Sequence, residues 1–134
     1  MRIAVINVSS HRNGVQDYVK ALANGMESMG HRVDVLDAGD GYKLPGYEYI
    51  AVCAEAASLW GGKMPEALPK LLSSASNLVG KKGAAFLKKT GPFFVNKALC
   101  NLMRAMEKEG MMVNWSEVLL SSDHANAMGK RIGA

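Results

Sequence analysis

The 134-residue sequence predicts an α/β domain in which a doubly wound parallel sheet carries helices on both faces. Short apolar runs alternate along the chain with stretches of helical periodicity. The first run, IAVINV at 3–8, is almost continuously aliphatic, as is typical of a parallel strand buried on both faces. Because each crossover between parallel strands is right-handed and each helix must bury its apolar stripe, five such strands separated by helices indicate a sheet covered on both sides.

The first half of the chain contains three predicted strands and one helix. After the strand at 3–8, a second strand is predicted at 31–37 (HRVDVLD) and a third at 49–54 (YIAVCA). Between the first two strands, apolar residues recur at intervals of three and four and predict one face of a helix that ends at Gly30. The residues of that face are Val15, Tyr18, Val19, Leu22, Met26 and Met29.

The third strand is followed by the loop EAASLWGGKM at 55–64, after which Pro65 or Pro69 opens a helix through KLLSSASNL. The fourth strand is GAAFL at 83–87, and the segment KKTGPF is the loop that follows it.

The pattern of the last third of the chain predicts a helix, then a strand, then a final helix. The strand is MMVNWSEVLL at 111–120, and Asp123 is the predicted N-cap of the closing helix DHANAMGKRIGA. The apolar stripe of the earlier helix consists of Val95, Ala98, Leu99, Leu102 and Met106.

Composition and charge narrow the functional class. One domain spanning 1–134 is expected at this length. Sixteen Lys and Arg against 12 Asp and Glu give a net charge of +4, which favours anionic ligands but falls short of a nucleic-acid footprint. No apolar run reaches the roughly 18 residues of a membrane span, and no signal-peptide cleavage site is evident. A soluble cytoplasmic protein that inserts in no membrane is therefore expected, with Cys53 and Cys100 as buried thiols of a reducing compartment.

The chain lacks the residues that other known functions of similar α/β sheets require. A phospho-accepting receiver domain needs an acidic pair after the first strand and an Asp after the third, where Ser9, Ser10 and Cys53 stand instead. The chain has no hydrolase elbow, no Walker loop and no dinucleotide fingerprint. Its three histidines are scattered without metal-ligand spacing, so each is expected to be solvated or to cap a helix, and no metal site is predicted.

The segment between the first strand and the first helix predicts an anion site. A turn of Ser, Asn and Gly that enters a helix leaves backbone N–H groups unpaired at the positive end of the helix dipole. Hydroxyls of Ser9 and Ser10 and the amide of Asn13 can bind phosphate oxygens, and Gly14 lets the backbone approach closely. His11 or Arg12 adds charge. The alternative is that Asn13 or Ser10 only caps the helix.

The same residues resemble the flavodoxins and their flavin-binding relatives. Those proteins carry a phosphate loop of the form S/T-x-T-G-x-T after the first strand, and SHRNGV at 10–15 stands in that place. The segments ALANGMESMGHRVDVLDAGD, LWGGKMPEAL and AMGKRIGA are similar to their first helix and second strand, to the segment after the third strand, and to their last helix. The resemblance covers nearly the whole chain and implies a short-chain flavodoxin-like domain with strand order 2-1-3-4-5.

The resemblance further implies FMN, with its phosphate in the loop 9–15 and its ring between the loops that follow the third and fourth strands. Trp60 stands where the family commonly covers one face of the ring. Gly61 follows it, where a peptide can turn over to meet flavin N5, and Phe93 is the candidate for the second face, with Phe94 as the alternative. The implied cofactor-binding residues are Ser9, Ser10, His11, Arg12, Asn13, Gly14, Val15, Ser58, Leu59, Trp60, Gly61, Gly62, Lys88, Lys89, Thr90, Gly91 and Phe93.

The sequence departs from the family's pattern at three places, one of which is the segment CAEAASLWGG, about three residues longer than usual and without the family's Ser-Pro-Thr. Arg12 and Val15 replace two threonines of the phosphate loop, and the Arg12 guanidinium can compensate because its fork suits phosphate oxygens. In the loop after the fourth strand, Lys88, Lys89 and Thr90 replace acidic residues. Lysines beside the ring would stabilise reduced FMN, which is anionic at N1, so its reduced form should be easier to reach.

The implied function is electron transfer between redox partner proteins, with the chemistry in the flavin and no catalytic side chain. Two alternatives stay open. One is a small NAD(P)H-dependent FMN or quinone reductase, whose anionic nucleotide the basic loops could hold. The other is a domain that kept the fold and lost the cofactor, as the altered phosphate loop allows.

Overall fold

The computed structural model describes residues 1–8, 16–37, 46–54, 79–88 and 95–132. Strands and helices alternate within them. They are β1 (Arg2–Val8), α1 (Gln16–Ser28), β2 (Arg32–Asp37), β3 (Tyr49–Ala54), β4 (Lys82–Lys88), α2 (Val95–Lys108), β5 (Met112–Leu119) and α3 (Ser122–Arg131). The helix predicted to start at Pro65 or Pro69 lies outside the described residues.

The five strands form one parallel sheet in the order β2-β1-β3-β4-β5, which confirms the predicted order. In the centre of the sheet, Val5 of β1 lies opposite Val35 of β2 and Ala51 of β3. The pairing of β4 with β5 shifts register between Gly83 and Ala84. Since all strands run the same way, their carboxyl ends share one edge and their amino ends the other.

Two apolar clusters, one on each face of the sheet, confirm that helices cover both sides. Alternate residues of β1 and β3 point to opposite faces, and every residue of β3 is buried. On one face α2 packs with Ala98, Leu102 and Met106. On the other, Val19, Leu22 and Met26 of α1 and Ala125 and Met128 of α3 are buried. Burying one such Leu or Met side chain stabilises the fold by roughly 1.5–3 kcal/mol.

Helices α1 and α2 end in the same way, each at a glycine with positive φ. Gly30 follows α1 at φ 89° and Gly110 follows α2 at φ 86°. In each case the next residue donates its N–H back into the last turn, His31 to Met26 O and Met111 to Met106 O, both at 3.4 Å. The predicted end of the first helix at Gly30 is thereby explained by a left-handed residue that glycine tolerates.

Three sequence-based expectations are wrong in detail. Met29 was placed on the buried face of α1, but it follows the last helical residue and is 48% exposed. Cys100 was expected to be buried, but it lies on the outer face of α2 and is exposed, whereas Cys53 in β3 is buried as predicted. Asp123 is not the N-cap of α3, because Ser121 holds that position and its Oγ accepts the His124 N–H at 3.0 Å.

Candidate functional site

The carboxyl edge of the sheet brings together the ends of the three strands that precede the predicted loops. Val8 of β1 pairs with Ala54 of β3, and Ala54 pairs with Leu87 of β4, next to the terminal Lys88. The three strands therefore end side by side. The chain passes from β1 to β2 on one side of β1 and then to β3 on the other, so the strand order reverses here, and parallel sheets bind ligands at such a point.

Lys88 is the one predicted cofactor-binding residue in the described part of the chain. The remaining predicted residues, Ser9 to Val15, Ser58 to Gly62 and Lys89 to Phe93, lie outside the described residues, as does the alternative Phe94. Lys88 is the last residue of β4 and is half-buried. Lys88 therefore lies at the carboxyl edge, and its contact with a cofactor stays a prediction.

The ammonium of Lys88 lies close to the start of α1. Lys88 Nζ is 5.4 Å from the centroid of the Tyr18 ring, and Tyr18 belongs to the opening turn of α1. A cation over an aromatic face is stabilised by about 0.5–1 kcal/mol where solvent is near. The lysine charge and the positive end of the α1 dipole thus lie close together at one corner of the carboxyl edge. Asp17, in the same turn of α1, is exposed and adds one negative charge there.

Asn7, one residue before the end of β1, carries a buried polar atom that needs a partner. Its side chain alternates with Ile3 and Val5 and so lies on the face covered by α1 and α3. Its Oδ1 is buried and accepts no hydrogen bond within the structure described. An unsatisfied buried acceptor costs about 1–3 kcal/mol, so this position beside the loop 9–15 favours a ligand or chain group that donates a hydrogen bond.

These features fit FMN in charge and in hydrogen bonding. Lys88 and the α1 N-terminus suit a phosphate group, and the hydroxyls of a ribityl chain are donors of the kind that Asn7 Oδ1 lacks. Ala54, at the end of β3, leaves the edge unobstructed by its own side chain. Within the described ranges, no group of three or more His, Cys, Asp or Glu side chains is arranged to hold a metal ion.

Sequence reasoning missed Asn7 and Tyr18 as parts of this corner. Tyr18 was assigned only to the helix stripe, and nothing in the linear sequence relates it to Lys88. Asn7 carried a signal that could have been used, because it is the one polar residue of the apolar run IAVINV. A polar residue there, next to a predicted phosphate loop, is unusual for a strand buried on both faces.

At the carboxyl end of β5, the outermost strand of the sheet, His124 stabilises the start of α3. Its Nδ1 accepts the Leu120 N–H at 3.1 Å, and its Nε2 lies 4.0 Å from Glu117 Oε1. Together with the Ser121 cap, these contacts satisfy backbone donors at the β5–α3 junction. His124 therefore has a capping role, which is one of the two roles, solvated or capping, that were expected of each histidine.

No helix in the described ranges has both the length and the apolar character needed to cross a membrane. No protein-family model and no curated protein sequence matches the chain.

Solved structures of flavodoxins, in contrast, match it over nearly its full length. A flavodoxin from the domain Archaea is 26% identical, with 99% of this chain and 94% of that chain covered and a TM-score of 0.74. The Streptococcus pneumonia TIGR4 flavodoxin is 15% identical, with 97% and 96% covered and a TM-score of 0.75. Oxidised Flavodoxin 1 from Bacillus cereus is 18% identical, with 99% and 95% covered and a TM-score of 0.71. With this strand order and this likeness, the chain has the flavodoxin-like fold.

Proposed function

We propose that this protein binds FMN at the carboxyl edge of its sheet and carries electrons between redox partner proteins. The observation that carries the proposal is the reversal of strand order between β1 and β3, in a sheet that matches those of solved flavodoxins. Lys88 and the start of α1 support it, because they put positive charge at the corner where a phosphate would lie.

The FMN, when bound, supplies the transfer of one or two electrons. The residues that would hold its phosphate are Ser9, Ser10 and Arg12, with the charge of Lys88 added from the end of β4. Trp60 and Phe93 would cover the two faces of the ring. No side chain of this chain has to donate or accept a proton, so the protein's part is to bind, orient and shield.

Titration with FMN tests the proposal directly. Purified protein is stripped of any bound flavin and titrated with FMN, with the quenching of flavin fluorescence as the signal. We expect saturable binding of one FMN per chain and much weaker binding of riboflavin, which has no phosphate. Lack of saturation with FMN contradicts the proposal and leaves a domain that has kept only the fold.

The charge of Lys88 gives a sharper form of this test. Lys88→Gln should weaken FMN binding roughly two- to five-fold, as expected for a partly exposed charge worth under about 1 kcal/mol. Lys108→Gln removes an equal charge from the last turn of α2, at the other end of the molecule, and should change the affinity by less. Equal effects of the two replacements would show that only net charge matters.

The potential of the bound flavin tests the sequence-based hypothesis about the two lysines. If Lys88 and Lys89 stabilise the anionic reduced form, the double replacement Lys88→Glu, Lys89→Glu lowers the midpoint potential measured by redox titration. A potential that the replacement leaves unmoved contradicts the hypothesis. Rapid oxidation of NADPH by the purified FMN-loaded protein would instead favour a reductase.

A further inference from the structure

A cleft at the amino edge of the sheet lies at the opposite end of the strands from the proposed FMN site. It has a volume of about 300 Å³ and opens between the first residues of the strands and the end of α3. Lys82, the first residue of β4, lines it, whereas Lys88 is the last residue of that strand. The other polar side chains that line it are Tyr49, Asn114, Trp115 and Arg131.

The neutral polar side chains of this amino-edge cleft carry hydrogen-bond donors that could bind a ligand. The Tyr49 hydroxyl donates to Asn114 Oδ1 at 2.5 Å, and burial raises the pKa of Tyr49 to about 12, so the hydroxyl keeps its proton near neutral pH. Because the Asn114 oxygen is taken, its amide N–H groups are left to bind something else. Trp115 Nε1 is also a donor, and it is buried with no acceptor in the part of the chain that the structure describes.

The charged groups of the cleft have one sign. Lys82 and Arg131 are both cationic, and none of the described residues that line the cleft is acidic. Within the described ranges, neither cation has a carboxylate within ion-pair distance. The Arg131 guanidinium lies 5.9 Å from the centroid of the Trp115 ring, so its charge lies over the indole.

The helix dipole explains only part of this arrangement. Cations in the last turn of a helix interact favourably with its negative end, which accounts for Lys130 and Arg131 at the end of α3. It does not account for Lys82, which comes from a strand, or for the unpaired donor of Trp115. A group that accepts several hydrogen bonds and carries negative charge would satisfy all of these residues together.

We propose that the amino-edge cleft binds a small phosphate-type oxyanion, such as inorganic phosphate, pyrophosphate or a phosphomonoester, held between Lys82, Arg131 and the Trp115 indole N–H. The volume lies at the lower end of the range for ligand pockets, which suits a small anion and is too small for a dinucleotide. The proposal does not depend on FMN binding, because the two sites lie at opposite edges of the sheet.

The test follows the indole N–H of Trp115 in two-dimensional ¹H–¹⁵N spectra of the full chain during a titration with inorganic pyrophosphate. The chain has two tryptophans, and the variant Trp60→Phe identifies the Trp115 signal. We expect a saturable shift of that signal with pyrophosphate, and none with sodium chloride at the same ionic strength. A shift that does not saturate overturns the proposal.

Matched variants separate this cleft from general attraction to a basic protein. Lys82→Gln and Arg131→Gln should each weaken pyrophosphate binding about ten-fold, the size of a charge-assisted hydrogen bond. Lys130→Gln removes the same charge from the exposed residue next to Arg131 and should leave binding unchanged. The rest of each spectrum reports whether the variant is folded, and Lys82→Arg, which keeps the charge, should restore binding.

The two edges can be told apart in the same experiment. If pyrophosphate moves the Trp60 signal and leaves that of Trp115 in place, the anion binds at the carboxyl edge and the amino-edge proposal is wrong. If the Trp115 signal still moves when FMN is present in excess, the two sites are independent. Equal binding by wild type and Lys82→Gln also overturns the proposal.

Discussion

Two tyrosines near the amino edge differ in what raises their pKa. For Tyr47, burial acts together with Asp34, whose Oδ2 accepts the Tyr47 hydroxyl at 2.8 Å and whose negative charge opposes a second one. For Tyr49, burial alone raises the pKa, to about 12. Tyr49 is only 4% exposed and its acceptor, Asn114, is neutral, so desolvation of the phenolate decides its titration.

The raised pKa of Tyr49 predicts a loss of stability in alkali. Between about pH 10 and 12 the unfolded chain releases the Tyr49 proton while the folded chain keeps it, so the free energy of unfolding falls as the pH rises. A shift of about two units corresponds to a loss of roughly 2–3 kcal/mol. Tyr49→Phe removes this loss, at a cost of about 1 kcal/mol at pH 7 for the hydrogen bond to Asn114.

Urea denaturation of wild type and Tyr49→Phe at pH 8 and pH 11 measures the effect. We expect the difference between the two proteins to shrink or reverse at the higher pH. Tyrosinate absorbance, measured for both proteins over the same pH range, shows whether Tyr49→Phe has lost a tyrosine with a raised pKa. Parallel stability curves for the two proteins would contradict the assignment.

At the scale of elements, two glycines set the distance between α1 and α3. A Cβ at Gly25 would lie 2.2 Å from Asn126 O, and a Cβ at Gly129 would lie 2.2 Å from Leu22 O. The helices therefore touch backbone to backbone, and Asn126 Nδ2 donates to Ala21 O at 3.3 Å across the same interface. Neither glycine can gain a side chain unless the helices move apart.

Replacing either glycine by alanine is expected to destabilise the protein. In an exposed helix the change from Gly to Ala stabilises by up to about 1 kcal/mol, so the sign of the effect is informative. For Gly25→Ala and Gly129→Ala we expect a net loss of about 1–3 kcal/mol, typical of overpacking. Asn24→Ala, at the exposed neighbour of Gly25, is the control and should be neutral or slightly stabilising. Thermal unfolding followed by circular dichroism reports all three, and a stabilised Gly25→Ala contradicts the close contact.

At the scale of the whole molecule, the parallel sheet places basic residues at both of its edges. The carboxyl edge gathers the ends of β1, β3 and β4 with Lys88, and the amino edge gathers Lys82 and Arg131 around a cleft. Each edge combines segments that are far apart in the chain, because parallel strands bring every crossover back to the same starting edge. Part of the net positive charge of the chain therefore lies at the carboxyl edge and part at the amino edge.

Binding of FMN to the folded state should raise the stability of the whole domain. At a free FMN concentration one hundred times the dissociation constant, the free energy of unfolding rises by about 2.7 kcal/mol. For a chain of this length, the corresponding rise in Tm is roughly 10 °C. Thermal unfolding with FMN and with riboflavin at the same concentration measures it. An unchanged Tm with FMN contradicts binding to the folded protein.

The sequence predicted the described elements well where burial is continuous. The residues of β3 are apolar because both faces of the strand are covered, and the stripe of α1 has the helical period because only one side packs on the sheet. It predicted the edge that carries the candidate site, since that edge follows from strand order. The individual cofactor-binding residues all remain predictions, and the structure adds only that Lys88 lies at the end of β4.

What the sequence determined by itself is the fold class and, through its resemblance, the strand order. The edge at which a ligand would bind follows from that order and stays a prediction. Only the tertiary structure decided that Cys100 is exposed, that Ser121 rather than Asp123 caps α3, and that Lys88 lies over Tyr18. It alone assembled the amino-edge cleft. The physical reason is that local periodicity records which face of an element is buried, whereas contacts between distant segments depend on how the crossovers and helices pack around the sheet.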